Sequence, residues 1–227
     1  AILLYLKNKY KKPKYSYRFV LLPETIGSIA YLSKKIKTLK KNMICGFNLT
    51  CVGDERKYSY TSSRLGNTLS DDALLASLIG CKNLKKYDFL DRTSDERQYC
   101  SPNIDLPLST FSRSKYYPEY HTDKDDFKVV TQKGLDDSLN VFKNIIDAFE
   151  TSLYPKTLFY CEPNLGKRNL YPTISQKGNY SEVRLRMNLL AFCDGKTNIF
   201  QICNKINIPL KNVCDELKIL KRNKILL

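Results

Sequence analysis

Short, nearly continuous apolar runs alternate along the chain with amphipathic stretches, and this alternation constrains the fold more than any other feature. The runs at 15–22 and 43–52 predict buried strands, because strands covered on both faces carry apolar residues throughout. Apolar positions at every third or fourth residue predict helices over 25–41 and 134–152. Helices that alternate with strands indicate an α/β fold with a largely parallel sheet and flanking helices.

Weaker patterns extend this prediction. They favour an opening helix at 1–12, a helix at 70–81, and strands at 87–90 and 106–112. Parallel sheets bind ligands beyond the carboxyl ends of their strands. The residues that follow the apolar runs are therefore the first candidates for a site.

The amino-acid composition changes in the last third of the chain. Residues 153–181 are rich in Pro, Tyr and Asn, which predicts a loop-rich connector. Three helical patterns and a short apolar tail follow, in the order found in a winged helix. The predicted domains are an α/β domain at 1–152, the connector at 153–181 and a winged-helix-like domain at 182–227.

The formal net charge of +15 is unevenly distributed. Residues 1–42 carry eleven Lys or Arg and one acid, residues 43–181 are balanced, and residues 182–227 carry nine basic and four acidic groups. Lys predominates over Arg, whereas nucleic-acid binders rely on Arg for bidentate contacts. We therefore do not expect nucleic acid to be the main partner.

The eight cysteines include no Cys-x-x-Cys pair, and several lie inside apolar runs. Thiols in such positions behave as small buried hydrophobes, so we expect neither a zinc knuckle nor a disulfide framework. No signal-peptide pattern is visible, and no apolar run approaches the ~20 residues of a membrane span. Together these features predict a cytoplasmic protein without a membrane contact.

The chain begins with AILLYLKNKYKK, which has the pattern of the last turns of an amphipathic helix. The capping residues and first turn that normally begin a helix are missing. We expect these residues to be the downstream part of a longer protein.

Candidate site residues follow the predicted strands. Glu24 and Asp54 each come two residues after the apolar end of a predicted strand, so both should reach the same rim of the sheet. The single histidine, His121, lies in the acidic loop EYHTDKD. Imidazole among carboxylates suits a zinc ligand or a catalytic base, and a surface residue without a role is the alternative.

Five short motifs occur in a characteristic order. They are PETIGS, SDERQY, YHT, CEPxLGKR and DG, at 23–28, 94–99, 120–122, 161–168 and 194–195. With them the chain resembles, over nearly all its length, the C-terminal part of a group of aminopeptidase-like proteins. That group carries a C-terminal winged helix, occurs among bacterial surface-polysaccharide genes, and is similar to the co-catalytic zinc aminopeptidases.

The resemblance implies a zinc-dependent hydrolase that cleaves a peptide, an aminoacyl group or a related amide by activating water. It also implies roles for individual residues. These are Glu24 as the catalytic base, Asp54 and His121 as zinc ligands, Asp125 and Asp95 as supporting residues behind them, and Arg97, Arg113 and Tyr120 as contacts for a substrate terminus.

The sequence departs from the family pattern in two places. The peptidases carry a Glu-Glu pair, but Thr25 occupies the second position here, so Glu24 is either the base or itself a ligand. The family also uses a second histidine and a bridging aspartate, which we expect from upstream of residue 1. The chain alone is therefore expected to bind its one or two zinc ions poorly and to be inactive.

Two other functions stay open. Thr25 also fits an aminopeptidase-like binding domain without catalysis, in which the winged helix contacts another protein. The helix at 210–222 could instead contact DNA, but Asp215 and Glu216 would meet phosphates unfavourably. The sequence leaves the substrate and a homo-oligomeric state undecided.

Overall fold

A computed structural model describes residues 1–171 and 180–227 of the chain. Within these ranges the α-helices and strands alternate in the first half, and helices follow in the second. The elements are α1 (Ile2–Lys9), α2 (Ile26–Asn42), β1 (Gly46–Leu49), β2 (Tyr58–Thr61), α3 (Leu69–Ser77), β3 (Leu84–Tyr87), α4 (Glu96–Tyr99), β4 (Leu108–Ser112), α5 (Gln132–Ser152), α6 (Tyr180–Leu190), α7 (Ile199–Ile206) and α8 (Leu210–Arg222).

The strands form one sheet in the order β1-β4-β2-β3. β1 runs parallel to β4, with Gly46 opposite Leu108, and β2 runs parallel to β3. Only the central pair, β4 and β2, is antiparallel. The predicted α/β class with a largely parallel sheet and flanking helices is confirmed.

Two apolar clusters hold the molecule together. The larger joins the sheet to α3, α5 and the last helices, and its members include Phe111, Phe149 and Phe200. The rings of Phe149 and Phe200 meet edge to face with centroids 5.2 Å apart, which links α5 to α7. The smaller cluster packs α2, through Leu32 and Leu39, over α4 and the start of β4.

The prediction of a strand at 15–22 is wrong for this chain. No backbone hydrogen bond ties this segment to a strand within the described ranges, and Leu21 is 91% exposed. An apolar run becomes a strand only when a neighbouring backbone pairs with it, and β1 pairs with β4 alone. The segment is instead fastened to α5, where Tyr17 donates a hydrogen bond to Glu150.

Smaller differences concern the short elements. The strand expected at 87–90 lies earlier, as β3, because the carboxylate of Asp88 accepts from the backbone of Leu90 and starts a 3-10 turn. The helix expected at 70–81 begins at Leu69, where Thr68 and Asp71 form a capping box. β2 is not among the predicted strands, since its sequence YSYT carries no apolar run.

The winged-helix pattern at the end of the chain corresponds to α6, α7 and α8. The apolar tail pairs with the beginning of the connector, since the backbone of Leu158 donates to Ile225 and that of Leu227 donates to Lys156. Residues 172–179 of the predicted connector lie outside the described residues. No helix in the described ranges is long and apolar enough to cross a membrane, and all eight cysteines, which these ranges include, are free thiols.

Candidate functional site

The loops after β1 and β4 are fastened to each other by Asp54. Its carboxylate accepts from the backbone N–H of Ser114 at 2.7 Å, from the hydroxyl of Ser114 at 2.6 Å and from the backbone N–H of Arg56 at 2.9 Å. Asp54 is only 4% exposed. Three of the roughly four acceptor positions of the carboxylate are therefore filled by the protein.

Helix α5 begins against the same loop. The backbone of Thr131 donates to the carbonyl oxygen of Gly53 at 2.9 Å, and the hydroxyl of Ser138 donates to the carbonyl oxygen of Val52 at 2.7 Å. A Cβ atom on Gly134 would lie 1.9 Å from the carbonyl oxygen of Gly53. Only glycine at this position allows the helix to approach the loop so closely.

The loop after β4 carries Tyr120 and His121 on the surface. Their rings stack with centroids 3.9 Å apart, and both side chains are exposed. Tyr117 packs edge-on against Tyr120 and donates a hydrogen bond to Asp125 at 2.8 Å. Asp125 thus holds Tyr117, and no hydrogen bond to the imidazole of His121 forms among the described residues.

Glu24 lies near this aromatic pair. Partial burial, followed by the acidic groups of Cys51, Glu24 and Asp125, raises the pKa of Tyr120. Electrostatic effects of this kind act over short distances. Glu24 therefore acts on Tyr120 through its charge, and the rings in contact with Tyr120 are those of Tyr117 and His121.

The turn at Glu24 is held by the segment before and within α4. The backbone N–H of Thr25 donates to Asp95 at 2.8 Å, and the guanidinium of Arg97 donates to the hydroxyl of Thr25 at 3.1 Å. Thr25 has a φ of 62°, which is unusual for a β-branched residue. Asp95 and Arg97 therefore contact the backbone and side chain that follow Glu24.

Arg113 lies in the interior. It is 1% exposed, its guanidinium stacks over the ring of Tyr58 at 3.8 Å, and its Nη1 atom lies 3.9 Å from Asp137. Its Nε and Nη1 atoms have no hydrogen-bond partner among the described residues, and the predicted role in holding a substrate stays a prediction. Arg97 and Tyr120, the other two residues predicted to contact a substrate, are exposed.

The chemistry of the donors fits zinc in part. The imidazole of His121 and the carboxylate of Glu24 are exposed and are ligands that zinc accepts. Asp54, by contrast, has most of its acceptor positions filled. Among the residues the structure describes, no three His, Cys, Asp or Glu side chains converge as a metal site. A complete site on His121 and Glu24 would need further donors.

Three residues of this region are absent from the sequence prediction. Cys51, with a φ of 49°, lies two residues after β1 and next to Tyr117, whose hydroxyl is 4.0 Å from the thiol. Ser114 holds Asp54, and Glu96 is fully buried beside Asp95. Glu96 is the only one of the three with a sequence signal, since it lies in the motif SDERQY.

Two family models together cover the chain. The model of a family described as a domain of unknown function (DUF4910) matches residues 1–152. The chain belongs to this family. A winged helix-turn-helix family model matches residues 152–227 of this DUF4910 protein.

Two relatives come from Clostridium acetobutylicum. A protein with the provisional name polysaccharide biosynthesis protein with aminopeptidase-like domain is 36% identical over 210 residues, which are 89% of this chain and 47% of the relative. A crystal structure provisionally described as that of a peptidase matches with a TM-score of 0.82 and 32% identity, over 100% of this chain and 51% of that one. The chain thus spans about half the length of both relatives. The resemblance to aminopeptidase-like proteins with a winged helix is confirmed.

Proposed function

We propose that this chain forms part of a metal-dependent aminopeptidase-like hydrolase that cleaves a peptide or a related amide bond. The observation that carries the proposal is the exposed imidazole of His121, which stacks on Tyr120 in the loop after β4, where Tyr117 of the same loop lies 4.0 Å from the thiol of Cys51. An exposed imidazole that can ligate zinc and an exposed carboxylate that can take a proton are two of the parts that such a reaction requires.

The chemistry assigned to these residues is general base catalysis. Zinc, when bound through His121 and further donors, would polarise the scissile carbonyl and lower the pKa of a water molecule. Glu24 accepts the proton of the attacking water and returns it to the leaving amine. If Glu24 is instead a ligand, as Thr25 in the second position of the pair allows, the base must come from another residue.

Substrate contacts are assigned to exposed side chains near Glu24. Arg97 presents a guanidinium beside Thr25, which suits a carboxylate or another acidic group on the substrate. Tyr120 offers a ring face and a hydroxyl next to His121. Both side chains are accessible without movement of the core.

A binding domain without catalysis is the second candidate. Two observations favour it: Thr25 stands where the peptidases carry a second carboxylate, and Asp54 is engaged by three protein donors. The winged helix would then contribute through protein contacts, consistent with the packing of α7 and α8 on the α/β body.

The substitution Glu24→Gln separates these functions. It is made in a polypeptide of the relatives' full length that includes this chain, and hydrolysis of aminoacyl p-nitroanilides is measured together with zinc content. If Glu24 is the base, the variant keeps its zinc and loses hydrolysis by about 100-fold or more. If Glu24 is a ligand, zinc content falls as well.

The matched control is Glu119→Gln, which removes a carboxylate on the same surface that pairs with Arg56. This control should keep both zinc and activity. Absence of hydrolysis in the wild-type protein, across the substrate panel and with zinc supplied, would contradict the enzyme function and favour the binding domain.

A further inference from the structure

We infer that Glu96 is a positioning residue for Glu24, acting through Asp95 and the backbone of Thr25. The inference rests on the proposed function for its catalytic meaning. The contacts that carry it belong to this chain alone.

Glu96 connects a loop to the sheet with one carboxylate. Its Oε1 atom accepts from the backbone N–H groups of Thr93 at 2.7 Å and Ser94 at 3.1 Å. Its Oε2 atom accepts from the side chains of Asn48 in β1 and Thr110 in β4, both at 3.0 Å. One oxygen therefore holds the loop and the other holds two neighbouring strands.

Four donors around a side chain that is 1% exposed require an ionised acceptor. Burial by itself raises the pKa of Glu96, but the hydrogen bonds from the backbone of Ser94 and Thr93 and from Thr110 bring the pKa below its ordinary value. The carboxylate is therefore charged at neutral pH. A neutral amide in its place would keep only one acceptor atom.

Asp95 connects the anchored Glu96 to the turn at Glu24. It directly precedes Glu96, and its Oδ1 atom accepts from the backbone N–H of Thr25 at 2.8 Å. Thr25 has a φ of 62° and a ψ of −68°, the strained conformation at the centre of a γ-turn, which L-residues with a branched Cβ adopt only when surrounding contacts impose it. The backbone N–H of Ile26 closes the turn by donating to the carbonyl oxygen of Glu24 at 2.7 Å, and the bonds from Thr25 to Asp95 and from Arg97 to the Thr25 hydroxyl support it from outside.

The result is a continuous connection from β1 and β4 through Glu96, Asp95 and Thr25 to Glu24. A general base must be held close to its productive position, because small displacements cost large factors in rate. Glu24 is exposed and belongs to no strand, so its direction depends on the turn that Asp95 and Arg97 fix.

The test uses this chain and needs no activity. Amide hydrogen exchange of Thr25 is measured by NMR in the wild type and in the variants Asp95→Ala, Asp95→Asn, Glu96→Ala and Glu96→Gln. Loss of a hydrogen bond to a charged acceptor should lower protection about tenfold in Asp95→Ala and Glu96→Ala. The conservative variants keep an acceptor oxygen and should restore part of it.

Glu216→Gln is the control, because Glu216 is similarly buried, at 6% exposure, but pairs with Arg186 in the C-terminal helices. It should lower stability without a selective change at Thr25. Asp95 is only half-buried, so its variants are expected to fold even if Glu96→Ala does not. Unchanged protection of Thr25 in Asp95→Ala would overturn the inference.

A second readout separates positioning from general structural damage. In the polypeptide of the relatives' full length, Asp95→Ala should lower kcat about tenfold or more with little change in KM and in zinc content. An equal rise in KM, or a loss of zinc, would contradict the positioning role. If the wild type shows no hydrolysis, the proposed function fails, while the exchange at Thr25 still decides the structural connection.

Discussion

At the scale of single residues, Asp54 determines how the two loops of the candidate site are held. Its carboxylate serves two backbone N–H groups and one hydroxyl, all at 2.9 Å or less. The two donors of Ser114 would otherwise lie unpaired in a buried position. Whatever else Asp54 does, it fixes the loop after β1 to the loop after β4.

We therefore expect Asp54→Asn to destabilise the chain. An asparagine offers one acceptor oxygen and turns an NH2 group towards a donor, so at least one hydrogen bond to a charged group is lost. The free energy of unfolding should fall by about 2–3 kcal/mol in urea denaturation. Asp123→Asn, at an exposed position of the same region, should have no such effect. Equal stability of the two variants would show that the three contacts do not hold the loops.

The sequence predicts residues that lie in short motifs better than residues that act through contacts. Glu24, Asp95 and Tyr120 are marked by motif position, and the structure brings the first two together through Thr25. Glu96 escapes prediction because its role depends on Asn48 and Thr110, which are distant in sequence and meet only in the folded sheet.

At the scale of elements, the start of α5 sets the shape of the rim. The hydroxyl oxygen of Thr131 caps this helix by accepting from the backbone N–H of Gly134 at 3.0 Å, and the backbone N–H of Thr131 donates to the carbonyl oxygen of Gly53. The close approach at Gly134 brings the helix backbone against the loop that ends in Asp54. The helix and the candidate site are thus mechanically linked.

Gly134→Ala tests this link. Within an ordinary helix, replacing glycine by alanine stabilises by up to about 1 kcal/mol. Here the new Cβ would lie 1.9 Å from a backbone oxygen, so α5 or the loop must shift. We expect a destabilisation of about 1–3 kcal/mol, measured by thermal unfolding.

Gly166→Ala serves as the comparison, because its Cβ would come no nearer than 3.3 Å to the side chain of Asn164. A stabilising effect of Gly134→Ala would mean that the helix does not approach the loop as described.

Helical periodicity predicts the long elements of this chain because each helix satisfies its own backbone hydrogen bonds. The patterns at 25–41 and 134–152 correspond to α2 and α5. A strand depends on a partner that the local sequence does not reveal. The apolar run at 15–22 therefore predicts a strand that does not form. The sequence of β2 is polar and predicts no strand, and the contact of Tyr60 with Asp71 is visible only in the structure.

At the scale of the whole molecule, the winged helix is part of the same packed body as the sheet. The larger apolar cluster contains Phe149 of α5 together with Phe200 of α7 and Leu217 of α8. Polar contacts cross the same boundary, since the side chain of Asn204 donates to the backbone of Asp72 in α3 at 3.1 Å. The regions at 1–152 and 152–227 should therefore unfold in a single transition.

The substitution Phe200→Ala tests whether the sheet and the winged helix share this core. Removal of a fully buried aromatic ring costs about 3–5 kcal/mol. Because the ring touches Phe149, we expect α5 to lose hydrogen-exchange protection together with α7, and unfolding to remain a single transition. Phe127→Ala removes a ring that is 92% exposed and should change neither. Two separate unfolding transitions would contradict the shared core.

We expect this chain to provide zinc-binding residues to an aminopeptidase-like site. Zinc content is measured by elemental analysis, after the protein has been equilibrated with zinc and dialysed to remove unbound metal. The samples are this chain alone and a polypeptide of the relatives' full length that contains it, each with His121→Ala and with the control Asp123→Asn. We predict zinc in the longer wild type and in its Asp123→Asn variant, and little in His121→Ala or in this chain alone. Zinc content unaffected by His121→Ala, or no zinc in any sample, would contradict the assignment of His121 as a zinc ligand.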